Sequence, residues 1–299
     1  MSDENLDNNI LLLTDLADDM ADSNGSVNKV DEAREAQVWS FQGVHGGAGV
    51  TSLVVQMAYD LSVGKGKKKE ELPNVLLIDL DFERGNCSSY LDIPPSMKVE
   101  ELNAAAGRMD EALAQTFIRK CGENLSIIAS ESELGGNDKV NPHALLALLD
   151  KISTAYDYIL IDSPQMWRSW TQAVIGASDK FTLVLEPSVP ALHRTKQLSN
   201  MIVSTMSLST PPEILLNKFE RRSLKHGVTL RDAAQVTERS DLLTVSYDED
   251  VLRQSINSGQ PVGYFKPESR YAKSIREITR NWRRDANDFV EQREERRRA

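Results

Sequence analysis

The chain has two cysteines in 299 residues, few aromatics, and no long apolar run. Cys87 and Cys121 are too isolated to form a disulfide framework or a thiolate metal site. No stretch approaches the roughly 20 apolar residues of a membrane span, so stable membrane insertion is not expected. Basic residues are outnumbered, 35 Lys and Arg against 45 Asp and Glu, for a net charge of −10. That is the wrong overall sign for a protein that coats nucleic acid, and no nucleic-acid partner is expected. The acidic start lacks the basic region of a secretory leader, and the expectation is a reduced, cytoplasmic protein.

Residues 1–35, rich in Asp, Asn, Ser and Glu, read as a disordered acidic tail. Within it Ile10, Leu13, Leu16 and Met20 fall near one helical face, giving either a short partner-binding helix or merely a sticky tract. From Gln37 short apolar runs alternate with helical patterns. The strand candidates are QVWSFQ, NVLLIDLD, LSIIAS, YDYILIDSP, KFTLVLEP, EILLNKF and DLLTVSY. HALLALLDKISTAY and ALHRTKQLSNMIVSTM are helical. Strand after helix after strand predicts a three-layer α/β fold, a mostly parallel sheet with helices on both faces and ligands at the carboxyl ends of the strands. The lysine-rich GKGKKKEELPN, Gly64 to Asn74, reads as a solvated connection. The boundaries expected are a tail over 1–35, a nucleotide-binding domain over 36–266 and a charged amphipathic helix over 267–299. In that last segment Tyr271, Ile275, Ile278, Trp282 and Phe289 lie close to helical spacing; mixed charge on the other face favours docking on protein over a membrane surface.

The stretch FQGVHGGAGVTSL carries the glycines of a phosphate-binding loop at the start of a helix. Glycines let successive backbone N–H groups converge on phosphate while the helix presents the positive end of its dipole. Gly46, Gly47 and Gly49 suit that role, with Ala48 between them. Thr51, followed by Ser52, stands where a hydroxyl ligates Mg²⁺, but Val50 occupies the position of the phosphate-binding lysine. Asp79 and Asp81 leave one apolar strand and Asp162 leaves another, placed to hold Mg²⁺ or to orient a water. Taken singly, each aspartate also reads as a cap or turn residue.

The order of this loop, then LLIDLD, ILIDSP and ILLNKF, resembles the MinD/ParA group of deviant Walker A ATPases over about residues 37–266. The resemblance implies a P-loop fold that binds ATP with Mg²⁺ in a homodimer. It lays His45 on the signature lysine that reaches across the dimer and Val50 on the ordinary phosphate lysine, so both are absent. It also implies that Asp81 positions the attacking water, Asp162 is the Walker B aspartate and Asn217 recognises adenine. The segment Leu242 to Val262 resembles the family's closing strand and helix, with Ser246 in place of a common proline. Among the branches of the group, the GGAG-x-T loop with LLIDLDFERGN, YLDIPP and LEPSVPALHRTKQL is most similar to the CpaE/TadZ pilus-assembly proteins. That likeness implies pilus secretion or assembly components as partners and recruitment to a cell pole at the inner membrane.

A charge-assisted contact to phosphate is worth roughly 1.5–3 kcal/mol, so loss of the loop lysine weakens binding by about ten- to a hundredfold without abolishing it. Hydrolysis depends more heavily on positioned positive charge, and little or no turnover is expected. His45 compensates only when protonated, and reads equally as a loop histidine bonded to backbone. Three functions stay open: a nucleotide-dependent switch, a nucleotide-free scaffold, and an active ATPase for DNA partitioning or septum positioning. Trp167 and Trp170 read as a partner surface or as packing beneath a loop. His143, His193 and His226 have no metal-ligand spacing, and Arg194 and Lys196 suit either a dimer face or solvent.

Overall fold

The computed structural model describes residues 36–63, 72–208, 210–220 and 227–298. The acidic tail, most of the lysine-rich connection, His226 and the Phe289 side chain lie outside these residues. The strands are β1 (Gln37–Gly43), β2 (Val75–Asp79), β3 (Arg119–Lys120), β4 (Leu125–Ala129), β5 (Tyr158–Ser163), β6 (Lys180–Leu185), β7 (Glu213–Phe219) and β8 (Leu243–Ser246). All seven expected runs form strands. The two-residue β3 is additional, too short and too polar to carry a periodic signal. The helices of eight residues or more are α1 (Val50–Ser62), α2 (Pro142–Ser153), α3 (Val189–Met206), α4 (Leu230–Thr237), α5 (Glu249–Ser258) and α6 (Arg270–Arg298). Helix α3 starts ahead of its apolar pattern because Ser188 caps the Ala191 N–H and Pro190 fits the first turn.

The eight strands form one sheet in the order β3-β4-β2-β5-β1-β6-β7-β8, parallel throughout except for β3 against β4. Alternate residues of each strand face opposite sides, and both sides are apolar. Trp39, Phe41, Leu77, Ile127 and Leu160 face α1 and α6 in one core, while Val38, Leu76, Ile78, Ile128 and Ile159 meet α2 in another. A third core joins β6 and β7 to α3 and α4 through Leu183, Leu216, Leu192 and Ala233.

Helix α6 docks on the chain's own sheet. Tyr271, Ile275, Ile278 and Trp282 are all buried, and Arg276 meets Asp60 of α1, whose side chain is 2% exposed, at 3.5 Å. The mixed-charge helix is therefore an integral cover of the sheet face that carries β1.

β1 occupies the centre, hydrogen-bonded to β5 on one side and β6 on the other. Asp79 and Asp162 stand opposite one another across the β2–β5 pairing, and Phe41 is opposite Asp162 across β1–β5. The carboxyl ends of β2, β5 and β1 thus converge on the loop that enters α1, which fixes where a ligand can bind.

Candidate functional site

The loop between β1 and α1 is shaped by two left-handed residues, Gly47 (φ 77°) and Gly49 (φ 81°). A Cβ on Gly49 would stand 2.5 Å from the Asn217 amide nitrogen, so backbone conformation and space both require glycine there. Asn217, 2% exposed, donates from Nδ2 to the Ala48 and Gly49 carbonyls at 2.8 and 3.3 Å. Its Oδ1 is buried without a hydrogen-bond partner. Ser52 at the start of α1 returns its hydroxyl to the Gly49 carbonyl at 3.0 Å.

Neither residue 45 nor residue 50 is a lysine. Val50 is half-buried and packs against the α1 core. His45 accepts the Glu186 N–H on Nε2 at 3.1 Å, which leaves Nδ1 to carry the ring proton and donate to the Gly46 carbonyl at 3.0 Å. These two bonds hold the ring between the loop and the end of β6.

A lysine reaches the loop from another strand. Lys218 donates from Nζ to the Gly47 carbonyl at 2.9 Å and to the Glu186 carboxylate at 2.8 Å. Its φ of 53° is left-handed, a conformation that costs a long side chain on the order of 1–2 kcal/mol. It coincides with a register shift between β7 and β8.

Below the loop, Thr51 donates to Asp162 Oδ2 at 2.7 Å, joining the first turn of α1 to the end of β5. Asp79 accepts the Asp81 N–H on Oδ1 and the Cys87 N–H on Oδ2, both at 3.0 Å. The Cys87 thiol is 3.5 Å from Asp162 Oδ2, and ligand atoms of Asp79, Cys87 and Asp162 lie within 4.8 Å of one another. Asp81 spends Oδ1 on the turn that follows β2, accepting from the Glu83 and Arg84 N–H groups and from Asn137 Nδ2 at 3.1, 3.0 and 2.9 Å.

Burial, followed by the neighbouring Asp79 charge, raises the Asp162 carboxyl to about 8, and burial raises Asp79 to about 6. Cys87 is pushed well above the ordinary thiol range by burial and then by the two carboxylates, so it remains a neutral S–H. Two buried carboxyls beside a hydroxyl form an oxygen donor set that suits Mg²⁺, and a cation there would relieve the cost of ionising both.

Without a cation, the folded state holds protons that the unfolded chain has released above about pH 4. The contribution of this pair is therefore present at low pH and lost as pH rises through about 6 and about 8. In EDTA, Asp162→Asn is expected to be more stable than the parent at pH 8 by on the order of 1–3 kcal/mol, and not at pH 4. Thermal unfolding at both pH values tests this; an equal difference at pH 4 and pH 8 would remove titration as its cause.

The structure gathers the loop residues 45–52, Asp79, Asp162 and Asn217 into one site, with Asp81 on its rim. Sequence reading missed Cys87, Glu186 and Lys218, whose only signal was proximity to the strand ends. Trp170 is 1% exposed and donates to the Asn137 carbonyl at 2.8 Å, and Trp167 is partly buried, so the tryptophan pair reads as packing. Lys196 bridges α3 to α4 by its ion pair with Glu238 at 2.7 Å, while Arg194, His143 and His193 are exposed.

A glycine loop entering a helix from the central strand, flanked by strand-end aspartates, defines a P-loop fold of the parallel α/β class. The chain belongs to the AAA domain family, whose model matches residues 36–213. It is 21% identical over 239 residues to the septum site-determining protein MinD of Bacillus subtilis, covering 79% of this chain and 84% of that one. It is 25% identical over 253 residues to a virulence plasmid ParA family protein of Chlamydia psittaci, covering 81% and 92%. Among solved structures, a ParA family ATPase from Chlorobium tepidum matches with a TM-score of 0.69 at 24% identity, covering 81% of this chain and 98% of that one. MinD from Pyrococcus horikoshii, solved as a complex with Mg-ADP, matches with a TM-score of 0.66 at 21% identity, covering 82% and 94%.

Proposed function

We propose that this protein is a nucleotide-dependent switch of the CpaE/TadZ type: it binds ATP with Mg²⁺, dimerises around it, and helps localise or assemble a tight-adherence pilus machine with little or no hydrolysis. The observation that carries the reading is a glycine loop with an intact Thr51–Asp162 bond in which neither residue 45 nor residue 50 is a lysine. The backbone N–H groups of residues 46–49 would hold the phosphates. Thr51 and Asp162, with Asp79 beside them, would hold Mg²⁺, and Asn217 lies next to the loop for the adenine side. Magnesium supplies charge neutralisation at the phosphates. The chain itself supplies the cradle, which supports binding more strongly than turnover. Polar recruitment at the inner membrane would run through protein partners; no described helix is long and apolar enough to cross a membrane.

A second reading, an active ATPase for DNA partitioning or septum positioning, draws on the MinD and ParA relatives, which this chain matches over about four-fifths of its length. Equilibrium binding of a fluorescent ATP analogue with Mg²⁺, together with sedimentation, tests the proposal on the parent and on Asp162→Ala. Micromolar binding coupled to dimerisation, and weakened at least tenfold in the variant, is expected. No binding up to millimolar nucleotide with an unchanged oligomer would leave a scaffold, and steady phosphate release would favour the second reading.

A further inference from the structure

Three successive peptide units of the loop have their carbonyls tied by side chains. His45 donates to the Gly46 carbonyl at 3.0 Å, Lys218 to the Gly47 carbonyl at 2.9 Å and Asn217 to the Ala48 carbonyl at 2.8 Å. In a trans peptide the carbonyl and the following N–H point in opposite directions, and no described peptide is cis. The N–H groups of Gly47, Ala48 and Gly49 are therefore turned away from those donors. That of Ala48 closes a turn onto the His45 carbonyl at 3.4 Å, while those of Gly47 and Gly49 have no acceptor among the described residues. Asn217 and Lys218 are successive residues of β7, and in a regular strand their side chains would leave opposite faces of the sheet. The left-handed backbone at Lys218 and the register shift beside it bring both to the same loop. Glycine would adopt that conformation freely, so a lysine held in it points to a task for the amine.

We infer that Lys218 and Glu186 form a brace that sets the empty loop in its anion-binding conformation, a positioning role exerted from the carbonyl side without contact to phosphate. This rests on the nucleotide-binding reading given above. The Lys218 amine is shared between the Gly47 carbonyl and the Glu186 carboxylate, and the Glu186 N–H holds His45, which in turn holds the Gly46 carbonyl. The brace thus reaches two successive carbonyls from β7 and from the end of β6. Each bond is modest, because the Lys218 and Glu186 side chains are 27% and 50% exposed. Together they restrict a segment that contains the left-handed Gly47 and Gly49, the residue type with most conformational freedom to lose. A loop ordered before its ligand arrives loses less entropy on binding, which offsets part of the affinity a loop lysine would have supplied.

The test measures the loop first without nucleotide, as amide order parameters of Gly46, Gly47 and Gly49 from nuclear magnetic relaxation of the full chain. The parent is compared with Lys218→Met, Lys218→Arg and Glu186→Ala, and thermal unfolding serves as the folding check. The parent is expected near the rigid-backbone value of about 0.85, Lys218→Met and Glu186→Ala to fall toward about 0.6, and Lys218→Arg to stay close to the parent. Binding of a fluorescent ATP analogue with Mg²⁺ is expected to weaken by roughly two- to tenfold in Lys218→Met and Glu186→Ala. Glu186→Ala separates positioning from charge, because removing an acid beside a phosphate site would tighten binding if charge alone mattered. Unchanged order parameters in both variants overturn the inference, as does a looser loop with unchanged or tighter binding. If the loop loosens as expected but the parent binds no nucleotide up to millimolar concentration, the brace stands and the nucleotide reading fails. Should Lys218→Met prove unfolded, Glu186→Ala decides alone by the same two readouts.

Discussion

Lysine placed at both vacant positions, in the double variant His45→Lys with Val50→Lys, is expected to raise ATP hydrolysis by on the order of 10³ to 10⁵-fold. The expectation follows from what is already built. Gly47 and Gly49 adopt the left-handed conformations the loop needs, and Thr51 is bonded to Asp162 at 2.7 Å. What is missing is positive charge at the phosphates, the part of phosphoryl transfer that positioned side chains contribute most. Val50 begins α1 and is only half-buried, so a lysine there has room to leave the core and follow the loop. Exchanging His45 removes the acceptor that holds the Glu186 N–H and puts a long, flexible cation where the ring is bonded to the loop. Val50→Lys alone should tighten binding by about ten- to a hundredfold with little gain in rate, because it restores only one of the two contacts. Single-turnover phosphate release separates the two effects. Tighter binding in the double variant without faster release would count against missing charge as the limit, and would point to Asp81, whose Oδ1 is engaged by the following turn.

Trp282→Ala is expected to destabilise the protein by about 3–5 kcal/mol and to lower its melting temperature by on the order of 10 °C. The indole is 4% exposed and meets Trp39 edge-on at 5.3 Å and Phe41 nearly stacked at 6.1 Å, with the Lys180 amine 5.4 Å above the ring. Trp39 and Phe41 are fully buried residues of β1, so the cavity would open under the strand that carries the phosphate loop. Trp282→Phe keeps most of the apolar contact and should cost clearly less. Thermal and denaturant unfolding of the two variants measures the difference. A loss below about 1 kcal/mol in the alanine variant would mean that α6 is a dispensable cover rather than part of the core.

The seven strand segments, the loop and the strand-end aspartates were legible because each is a local pattern: a short apolar run, a glycine cluster before a helix, an acid after a strand. The parallel order followed from their alternation with helices, and the absence of lysine from loop residues 45–52 was read directly. The partners of those residues were not legible. His45 is fixed by a backbone N–H 141 residues away, and Lys218 reaches a carbonyl 171 residues away. Such pairings depend on which strands become neighbours, and the amine's direction depends on one left-handed φ that no side-chain pattern encodes. The same holds for Asp79 and Asp162. The sequence placed each at the end of an apolar strand, but only the β2–β5 register set them opposite one another and excluded the water that would have kept their carboxyls in the ordinary range. The sequence by itself thus determined a nucleotide-type fold with a lysine-free loop. Tertiary structure decided which groups meet at that loop, because charge, burial and reach there are properties of contacts between distant segments rather than of any one segment.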